Sequence, residues 1–371
     1  MAGIEVTRVG TRREREAFLA LPYELHRADL CWVPPLRRDV RALLSPRANA
    51  FFEHAQADCF LARRAERVVG RIAAIHNRRH NEVHGDRVGF FGFFECADDP
   101  QAGRVLLDAA ALWARGRGLD ALRGPASFST NDECGLLVDG FDTPPTLMMP
   151  HNPPRYVTLV EDAGFRRIKN LLVYERQVGA PPPRLRDAAH TLGRRYGVRV
   201  RALDLRRFTA ELAHVKRLYN AAWERNWGFV PLNNAEIDQL ARQLRPVVVP
   251  ELALFAERDG QPIGVAVVLP DFNVALAANP NGRFFPGILR VLWRARHIDR
   301  VRVLILGILP DWRGKGLDAL LYGRLWANAV ARGVRWAEAG WILEDNHAMR
   351  NALVRLGFSV YKTYAMYERA L

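Results

Sequence analysis

The sequence predicts an α+β protein with two tandem domains, each built on a mixed central sheet flanked by helices. The chain has 371 residues, more than one hydrophobic core needs, and 49% are hydrophobic against 25% charged, as in ordinary folded proteins. A proline-rich spacer at residues 179–184 divides the chain nearly in half. Because similar signals recur in the same order on both sides of this spacer, we predict domains at residues 1–180 and 181–371.

The second half alternates between apolar strand patterns and amphipathic helix patterns. A Gly-rich turn separates its central strand from the helix that follows. The predicted elements are, in order, a strand at 198–205, helices at 209–226 and 235–244, strands at 252–256 and 263–269, an insertion, a strand at 301–309, a helix at 317–332, a strand at 336–343, a helix at 347–356 and a strand near 361–367.

The first half carries a weaker version of the same order. Its elements are a hairpin at 59–63 and 68–75, a strand at 89–95, a helix at 102–115 and a strand at 121–127. Each half then has an Asn that opens a helix ending in Gly-Phe, from Asn152 to Phe165 and from Asn346 to Phe358. Asn and Gly are favourable helix caps, which explains each match locally, but their equivalent positions favour a tandem duplication.

The charge of the chain narrows the choice of partners. Lys and Arg outnumber Asp and Glu by 54 to 40, a formal net charge of +14, and only four of the basic residues are lysines. This balance favours anionic partners such as phosphates, coenzymes or an anionic membrane face, although a GC-rich genome also enriches arginine. No zinc-finger spacing, RNA-binding aromatic motif or basic run accompanies it, so we expect no DNA partner.

The cysteines and the hydropathy pattern indicate the compartment. Cys31, Cys59, Cys96 and Cys134 are scattered without CxxC spacing, which favours small core residues over disulfides or zinc ligands. No run of about 18 apolar residues and no apolar signal region occurs. We therefore expect a cytoplasmic protein with no metal.

The sharpest local pattern runs from an apolar strand into a helix, between Leu309 and Leu317. Its sequence, LPDWRGKGL, places glycines where several backbone N–H groups converge at the positive end of a helix, and Arg313 and Lys315 add charge. This combination predicts an anion cradle suited to a pyrophosphate. It is neither a Walker loop nor a GxGxxG loop, and the alternative interpretation is a basic turn that only reverses the chain.

Two motifs resemble those of the GNAT superfamily of N-acetyltransferases. Arg313-Gly-Lys-Gly-Leu-Asp318 resembles its R/Q-x-x-G-x-G/A coenzyme A loop, and Asn346 with Gly357-Phe358 resembles its next motif. The resemblance implies tandem GNAT-like domains and acyl-CoA as a co-substrate. The coenzyme contacts that it implies are Ile308, Leu309, Arg313, Gly314, Lys315, Gly316, Leu317 and Asn346. The first domain, acidic at residues 97–103, is the degenerate copy and is expected to bind no coenzyme.

Longer strings resemble one bacterial group within this superfamily. They include Trp32-Val-Pro-Pro-Leu36, Gly135-Leu-Leu-Val-Asp-Gly-Phe141 and Leu343-Glu-Asp-Asn346. Members of that group are similar to bacterial ceramide synthases, which transfer a long acyl chain from a thioester to the amine of a sphingoid base. The resemblance therefore implies an N-acyltransferase whose acceptor is a sphingoid base or another lipid amine.

The chemistry implied by this resemblance is direct attack of a deprotonated amine on the thioester carbonyl. Backbone N–H groups near Ile308 and Leu309 are expected to stabilise the oxyanion. Glu338 and Glu344 are the candidate bases. The alternatives are that Glu338 is a strand-edge residue facing water and that Glu344 belongs to a helix-start cluster.

Two positions depart from the GNAT pattern. Asp318 stands where the coenzyme loop ends in Gly or Ala, and its carboxylate has to point away from the phosphates, as a residue in the first helical turn. Leu353 stands where many members carry the tyrosine that protonates the leaving thiolate. Tyr361 or Tyr364 is therefore the expected proton donor.

An insertion near residues 280–298 predicts a basic amphipathic helix with apolar and basic side chains on opposite sides. The two sets are Phe284, Phe285, Ile288, Leu289 and Leu292 against Arg290, Arg294 and His297. Such a helix suits peripheral contact with an anionic membrane, here the inner face of the plasma membrane, and it equally suits packing on the other domain.

Three classes of function remain open from the sequence. The first is an acyl-CoA-dependent N-acyltransferase with a small-molecule or lipid amine as acceptor. The second is a catalytically inactive GNAT-like binding module, and the third is an aminoacyl-tRNA-dependent transferase on the same scaffold. The coenzyme loop favours the first class and argues against the third, and no pattern indicates an oligomeric state.

Overall fold

A computed structural model describes residues 3–371 except residue 225, and it describes the backbone but not the side chains of residues 184, 186 and 188–190. The chain divides into two compact units. The first unit takes the chain up to Leu172 together with Asn273–Ala295 and Tyr361–Leu371, and the second comprises Val173–Phe272 and Arg296–Val360.

Strands and helices alternate along the described chain. The strands are β1 (Ile4–Arg8), β2 (Ala55–Arg64), β3 (Arg67–Asn77), β4 (Val88–Cys96), β5 (Ala121–Gly124), β6 (Leu136–Asp139), β7 (Arg166–Gln177), β8 (Val198–Ala202), β9 (Ala253–Arg258), β10 (Gln261–Pro270), β11 (Arg300–Ile308), β12 (Trp336–Leu343) and β13 (Ser359–Ala370). The α-helices are α1 (Arg12–Leu25), α2 (Arg37–Leu43), α3 (Arg78–His84), α4 (Pro100–Arg115), α5 (Arg155–Asp162), α6 (Pro183–Tyr196), α7 (Phe208–Trp223), α8 (Asn234–Leu244), α9 (Asn273–Leu276), α10 (Gly287–Ala295), α11 (Asp318–Ala331) and α12 (His347–Arg355).

The sheet of the first unit has the strand order β1-β2-β3-β4-β5-β13, and β6 also pairs with β13. Its neighbouring strands are antiparallel except β4 and β5, which run parallel. Helix α4 covers this sheet: Asp99 caps its N-terminus, and Leu106, Ala110 and Ala114 project into the core. The four-residue spacing keeps these side chains on one side of the helix.

The sheet of the second unit has the order β12-β11-β10-β9-β8. Strands β11 and β12 are parallel, and the other pairs are antiparallel. Helix α11 contributes Leu321, Leu325 and Ala329 to the core of this unit, again at intervals of four residues. Because α11 is anchored in this way, the loop between β11 and α11 starts and ends on rigid elements.

The predicted fold class is confirmed, since each unit has a mixed sheet flanked by helices. The predicted division was into residues 1–180 and 181–371. The two units of the structure instead combine segments that are separated in the chain. The last strand illustrates the reason: Tyr367 pairs with Gly124 and Ala370 with Ala121, so the end of the chain completes the sheet of the first unit.

The insertion forms a shorter helix than predicted. Helix α10 covers only Gly287–Ala295, and it starts after Pro286 because the residue before a proline is disfavoured in helical conformation. Phe284 and Phe285 therefore precede the helix, while Val291 is buried. Among the described residues, no helix is both long and apolar enough to cross a bilayer.

The prediction that Asn152 caps a helix is wrong. Helix α5 begins at Arg155 without a side-chain cap. The Asn152 carboxamide instead accepts from the amide of Leu137 at 2.8 Å and donates to the carbonyl of Leu137 at 3.1 Å. Two prolines separate Asn152 from the helix, so its side chain satisfies the backbone of β6. Asn346, by contrast, does cap α12.

Candidate functional site

The two parallel strands of the second unit separate part-way along their length. Pairing between β11 and β12 runs from Arg300–Trp336 to Val303–Ala339 and then ends, although both strands continue. On its other side β11 carries a bulge, because Val303 faces Val268 and Ile305 faces Val267, which leaves Leu304 as the extra residue. A bulge bends its strand, and this one lies where the separation begins. The result is a cleft between two strand ends.

A cavity of about 900 Å³ extends from this cleft into the second unit. Much of its lining is apolar. The apolar side chains come from β11, α11 and α12 and from the short segment between α12 and β13. These include Val301, Leu325, Ala329, Leu353, Leu356 and Phe358. The loop at residues 310–317, here called the anion loop, also contributes to the lining, and its lining residues Arg313, Gly314 and Gly316 are exposed to solvent. The cavity thus joins a solvent-exposed polar loop to an apolar interior.

The anion loop presents a series of backbone N–H groups as hydrogen-bond donors. Gly314 and Gly316 adopt φ of 73° and 72°, in the left-handed region that favours glycine, and this turns successive N–H groups to one side. No side chain caps the N-terminus of α11, which follows the loop. Within the described part of the chain, the amides of residues 314–318 have no hydrogen-bond acceptor. A helix N-terminus with open amides is an anion-binding arrangement.

The two basic side chains of the anion loop have partners of their own. The Arg313 guanidinium donates to the carbonyls of Ala222 at 2.9 Å and Ile308 at 3.2 Å. The Lys315 ammonium donates to the carbonyl of Asp311 at 2.9 Å and lies 4.5 Å from the centre of the Trp312 ring. Both cations therefore shape the loop and lie close to its open amides.

The two amides predicted to stabilise an oxyanion differ in availability. Leu309 donates its N–H to the carbonyl of Ile263 at 2.9 Å, so this amide is already used. Ile308 faces Gly264 across the antiparallel pair. Because hydrogen-bonded and non-hydrogen-bonded pairs alternate along such strands, the bond from Leu309 to Ile263 makes Ile308 and Gly264 a non-hydrogen-bonded pair. The N–H of Ile308 consequently points away from β10 and toward the cleft. Of the two, Ile308 remains the candidate oxyanion donor.

The predicted coenzyme residues divide into those that line the cavity and those that support it. Ile308, Arg313, Gly314, Gly316, Leu317 and Asn346 line the cavity. Leu309 and Lys315 are not among its described lining residues. The Asn346 side chain accepts from the amide of Met349 at 3.2 Å, so it also starts α12.

Glu338 is buried in an ion pair. Its side chain is 1% exposed, and its Oε1 lies 3.5 Å from Nε of Arg302. The Nη2 of Arg302 donates to the carbonyl of Gly340 at 2.9 Å. The alternative of a strand-edge residue facing water is therefore wrong. Because side chains alternate along β12, Glu338 points to the opposite side from Ala337 and Ala339, which line the cavity.

The other predicted catalytic residues lie elsewhere. Leu343 and Asp345 line the cavity, but Glu344 between them is not among the described lining residues. Tyr361 and Tyr364 belong to the first unit. The Tyr364 side chain is fully buried and donates its hydroxyl to the carbonyl of Pro150 at 2.9 Å.

One phenol among the described lining residues was missed by sequence reasoning. Tyr322, on α11, lines the cavity one turn after the anion loop, and its hydroxyl lies 3.6 Å from Sδ of Met349. Burial, with a smaller contribution from the charge of Asp318, raises the pKa of Tyr322. The sequence signal that could have identified Tyr322 is its position four residues after Asp318, which places both residues on the same side of α11. Across the described chain, no three His, Cys, Asp or Glu side chains group as metal ligands.

Comparison with known proteins identifies relatives that match over nearly the full length. The chain is 36% identical to "Bacterial ceramide synthase" of Caulobacter vibrioides over 378 residues, covering 100% of this chain and 98% of that protein. The chain belongs to the bacterial ceramide synthase family. It is also 33% identical to "Protein YghO" of Escherichia coli, covering 97% of this chain and 94% of that protein. No family model matches the chain.

Solved structures that resemble this member of the bacterial ceramide synthase family have the GNAT fold, and one of them is a tandem GNAT protein. A tandem GNAT protein from the clavulanic acid biosynthesis pathway matches with a TM-score of 0.58 at 16% identity, covering 99% of this chain and 98% of that one. A GCN5-related N-acetyltransferase from Sphaerobacter thermophilus matches with a TM-score of 0.53 at 13% identity, covering 99% and 95%. Family membership and fold together identify an acyltransferase.

Proposed function

We propose that the chain is an acyl-CoA-dependent N-acyltransferase that transfers a long-chain acyl group to a sphingoid base or another lipid amine. One observation carries the proposal: the solvent-exposed anion loop, with its open amides, lines the same cavity of about 900 Å³ as a group of apolar side chains. An acyl-CoA has the same division, with an anionic pyrophosphate at one end and an apolar chain at the other. A relative at 36% identity named bacterial ceramide synthase supports the same acceptor class.

The anion loop suits the pyrophosphate end of the co-substrate. Its open amides and the N-terminus of α11 supply hydrogen-bond donors and positive potential, and Arg313 and Lys315 add charge. A Cβ at Gly314 would meet no atom within 4 Å, so the glycine leaves the backbone open to a ligand. Two carboxylates oppose an anion here, Asp311 within the loop and Asp318 in the first turn of α11.

The apolar interior suits a long acyl chain. Leu325 and Ala329 line the cavity from α11, and Leu356 lines it from the position just after α12. A cavity near the upper end of the usual range for small-molecule sites leaves room beyond that needed for an acetyl group. This supports a donor longer than acetyl-CoA.

The proposed reaction forms a C–N bond and breaks a C–S bond. The neutral amine attacks the thioester carbonyl carbon, and the N–H of Ile308 stabilises the oxygen as it becomes negative. The proton of the ammonium that forms on attack must pass to a base, and Glu338 is set aside because it points away from the cavity. Glu338 is also paired with Arg302, so we propose a water relay to Glu344 or to the cavity-lining Asp345.

The leaving thiolate takes up a proton to become a thiol. We propose Tyr322 for this step ahead of Tyr361 and Tyr364, because Tyr322 is the phenol among the described residues that line the cavity.

The test uses the purified full-length chain with radiolabelled palmitoyl-CoA and a sphingoid base, followed by lipid extraction and chromatography. We expect an N-acylated lipid product and release of one CoA per amide formed. Acetyl-CoA and octanoyl-CoA, tested in parallel, define the chain-length preference. CoA binding without product from any acyl donor would replace the proposal by an inactive binding module, and transfer that requires an aminoacyl-tRNA would replace it by the third class.

A further inference from the structure

The insertion of the first unit concentrates exposed apolar side chains on a short segment. Eleven large hydrophobic side chains are exposed among the described residues, and five of them lie between residues 284 and 293. The five are Phe284, Phe285, Leu289, Leu292 and Trp293. Phe285 is 73% exposed, and the last three are each more than half exposed. Isolated exposed apolar residues are ordinary, but a contiguous group of this size indicates a binding surface.

Helix α10 already buries an inner side without these residues. Gly287 and Val291 are buried, four residues apart, and form its contact with the rest of the first unit. Leu289, Leu292 and Trp293 have the spacing i, i+3 and i+4, which places them together on the outer side. This outer side and Phe285 are here called the apolar face. The fold does not require them to be apolar.

The apolar face is held on a rigid support. The amide of Arg37, at the start of α2, donates to the carbonyl of Gly282 at 2.8 Å, and its Nε donates to the carbonyl of Asn281 at 2.9 Å. The Asn279 side chain is buried and donates to the carbonyl of Arg283 at 2.8 Å. The turn before α10 is therefore tied to the body of the unit, so presenting the apolar face to a partner costs little conformational entropy.

Charges of one sign surround the apolar face. Arg283, Arg290 and Arg294 are exposed, and the sequence has no Asp or Glu between Asp271 and Asp299. Arg38 stacks on Phe284 at 3.6 Å, but Asp39 pairs with it at 3.1 Å, so that contact adds little net charge. The three exposed arginines are here called the arginine collar. Their long side chains reach outward while their stems cover apolar surface.

We propose that the apolar face docks the protein on an anionic lipid bilayer. Phenylalanine, leucine and tryptophan side chains enter the boundary between headgroups and acyl chains, and the arginines contact anionic headgroups. A second copy of the chain fits less well, because a symmetric contact would bring two arginine collars together. Docking would bring the enzyme to a lipid amine acceptor, which resides in such a bilayer. This reason for docking rests on the proposed function, whereas the evidence for the apolar face does not.

The test measures binding of the full-length chain to sedimented vesicles of phosphatidylcholine, with and without phosphatidylglycerol. We expect binding that needs phosphatidylglycerol and weakens with salt. In the triple variant Phe285→Ser, Leu289→Ser, Trp293→Ser the affinity should fall by roughly a hundredfold or more. The matched control, Leu30→Ser with Leu112→Ser, changes two side chains of the same unit that are 95% and 69% exposed, and it should bind as the parent does.

A second pair of variants tests the collar. Arg290→Gln with Arg294→Gln should lose most of the salt-dependent binding, while Arg13→Gln with Arg115→Gln, also exposed arginines of the first unit, should retain it. Trp293→Phe tests insertion without a change in hydrophobicity. Quenching of the protein's fluorescence by brominated lipid should decrease in this variant if Trp293 enters the bilayer.

Three results would overturn the proposal. One is vesicle binding by the triple variant equal to that of the parent, another is unchanged brominated-lipid quenching in Trp293→Phe, and the third is loss of a dimer by light scattering in the triple variant. CoA affinity, measured by calorimetry in the same variants, distinguishes failure of the membrane-docking proposal from failure of the proposed function. The apolar face lies outside the residues that line the cavity, so we expect that affinity to stay constant.

Discussion

The guanidinium of Arg313 donates to the carbonyl oxygen of Ala222 at 2.9 Å and so joins the anion loop to the last turn of α7. A further bond from the same group reaches the carbonyl of Ala221 at 3.3 Å. Carbonyls at the end of a helix lack partners within the helix, and a cation there is favourable. Arg313 therefore determines both the position of the loop and part of its charge.

Replacement of Arg313 by Ala is expected to weaken CoA binding by roughly tenfold to a hundredfold and to lower the free energy of unfolding by about 1–3 kcal/mol. Arg313→Lys retains the charge but not the forked contacts, so it should restore little of either. Calorimetry and denaturant titration measure the two effects. Arg335→Ala, at a side chain that is 82% exposed, is the control and should change neither. Unaltered CoA affinity in folded Arg313→Ala would contradict the role of the loop.

Two glycines allow backbone strain to be separated from ligand contact. Gly314 and Gly333 have φ of 73° and 75°, and a Cβ at either would meet no atom within 4 Å. Alanine at each position should therefore cost a similar amount, about 1–2 kcal/mol, in the free energy of unfolding. Only Gly314→Ala should also weaken CoA binding, because Gly314 lines the cavity and Gly333 does not. Equal CoA affinities in the two folded variants would argue against the loop as the pyrophosphate site.

The proton donor is tested by comparing phenols. Tyr322→Phe is expected to lower kcat by about a hundredfold or more while leaving CoA affinity unchanged. Since burial raises the pKa of Tyr322, the phenol stays protonated through neutral pH, and activity that depends on it should fall only at strongly alkaline pH. Tyr364→Phe is the comparison, and it should cost about 1 kcal/mol of stability through the lost bond to Pro150. A large loss of kcat in Tyr364→Phe, with Tyr322→Phe fully active, would reverse the assignment.

The length of the acyl chain is tested from within the cavity. Ala329 lines the cavity on α11, and a phenylalanine there would occupy part of the apolar interior. Ala329→Phe should reduce turnover of palmitoyl-CoA by about tenfold relative to octanoyl-CoA. Some loss of stability, about 1–3 kcal/mol, is expected from the larger side chain. Ala331→Phe, at an exposed position of the same helix, should leave the chain-length profile as it is. An identical profile in both variants would place the acyl chain elsewhere.

The apolar interior and the anion loop differ in how far the sequence predicts them. The loop was recognisable because its glycines and basic residues are neighbours in the chain. The choice of oxyanion donor beside the loop was not recognisable, since the amide of Leu309 is used in a bond to Ile263, which lies 46 positions earlier in the numbering. Whether a given N–H points into a cleft depends on strand pairing, which local patterns do not determine.

By itself, the sequence determined the features that depend on near neighbours: the strand and helix periodicities, the glycines of the anion loop and the cap at Asn346. The tertiary structure alone decided which distant residues meet. It pairs Glu338 with Arg302, separates β11 from β12 beyond Val303, and brings Tyr322 to the cavity. The physical reason is that backbone propensity and side-chain spacing act over a few residues, whereas strand register and cavity shape result from packing between segments far apart in the chain.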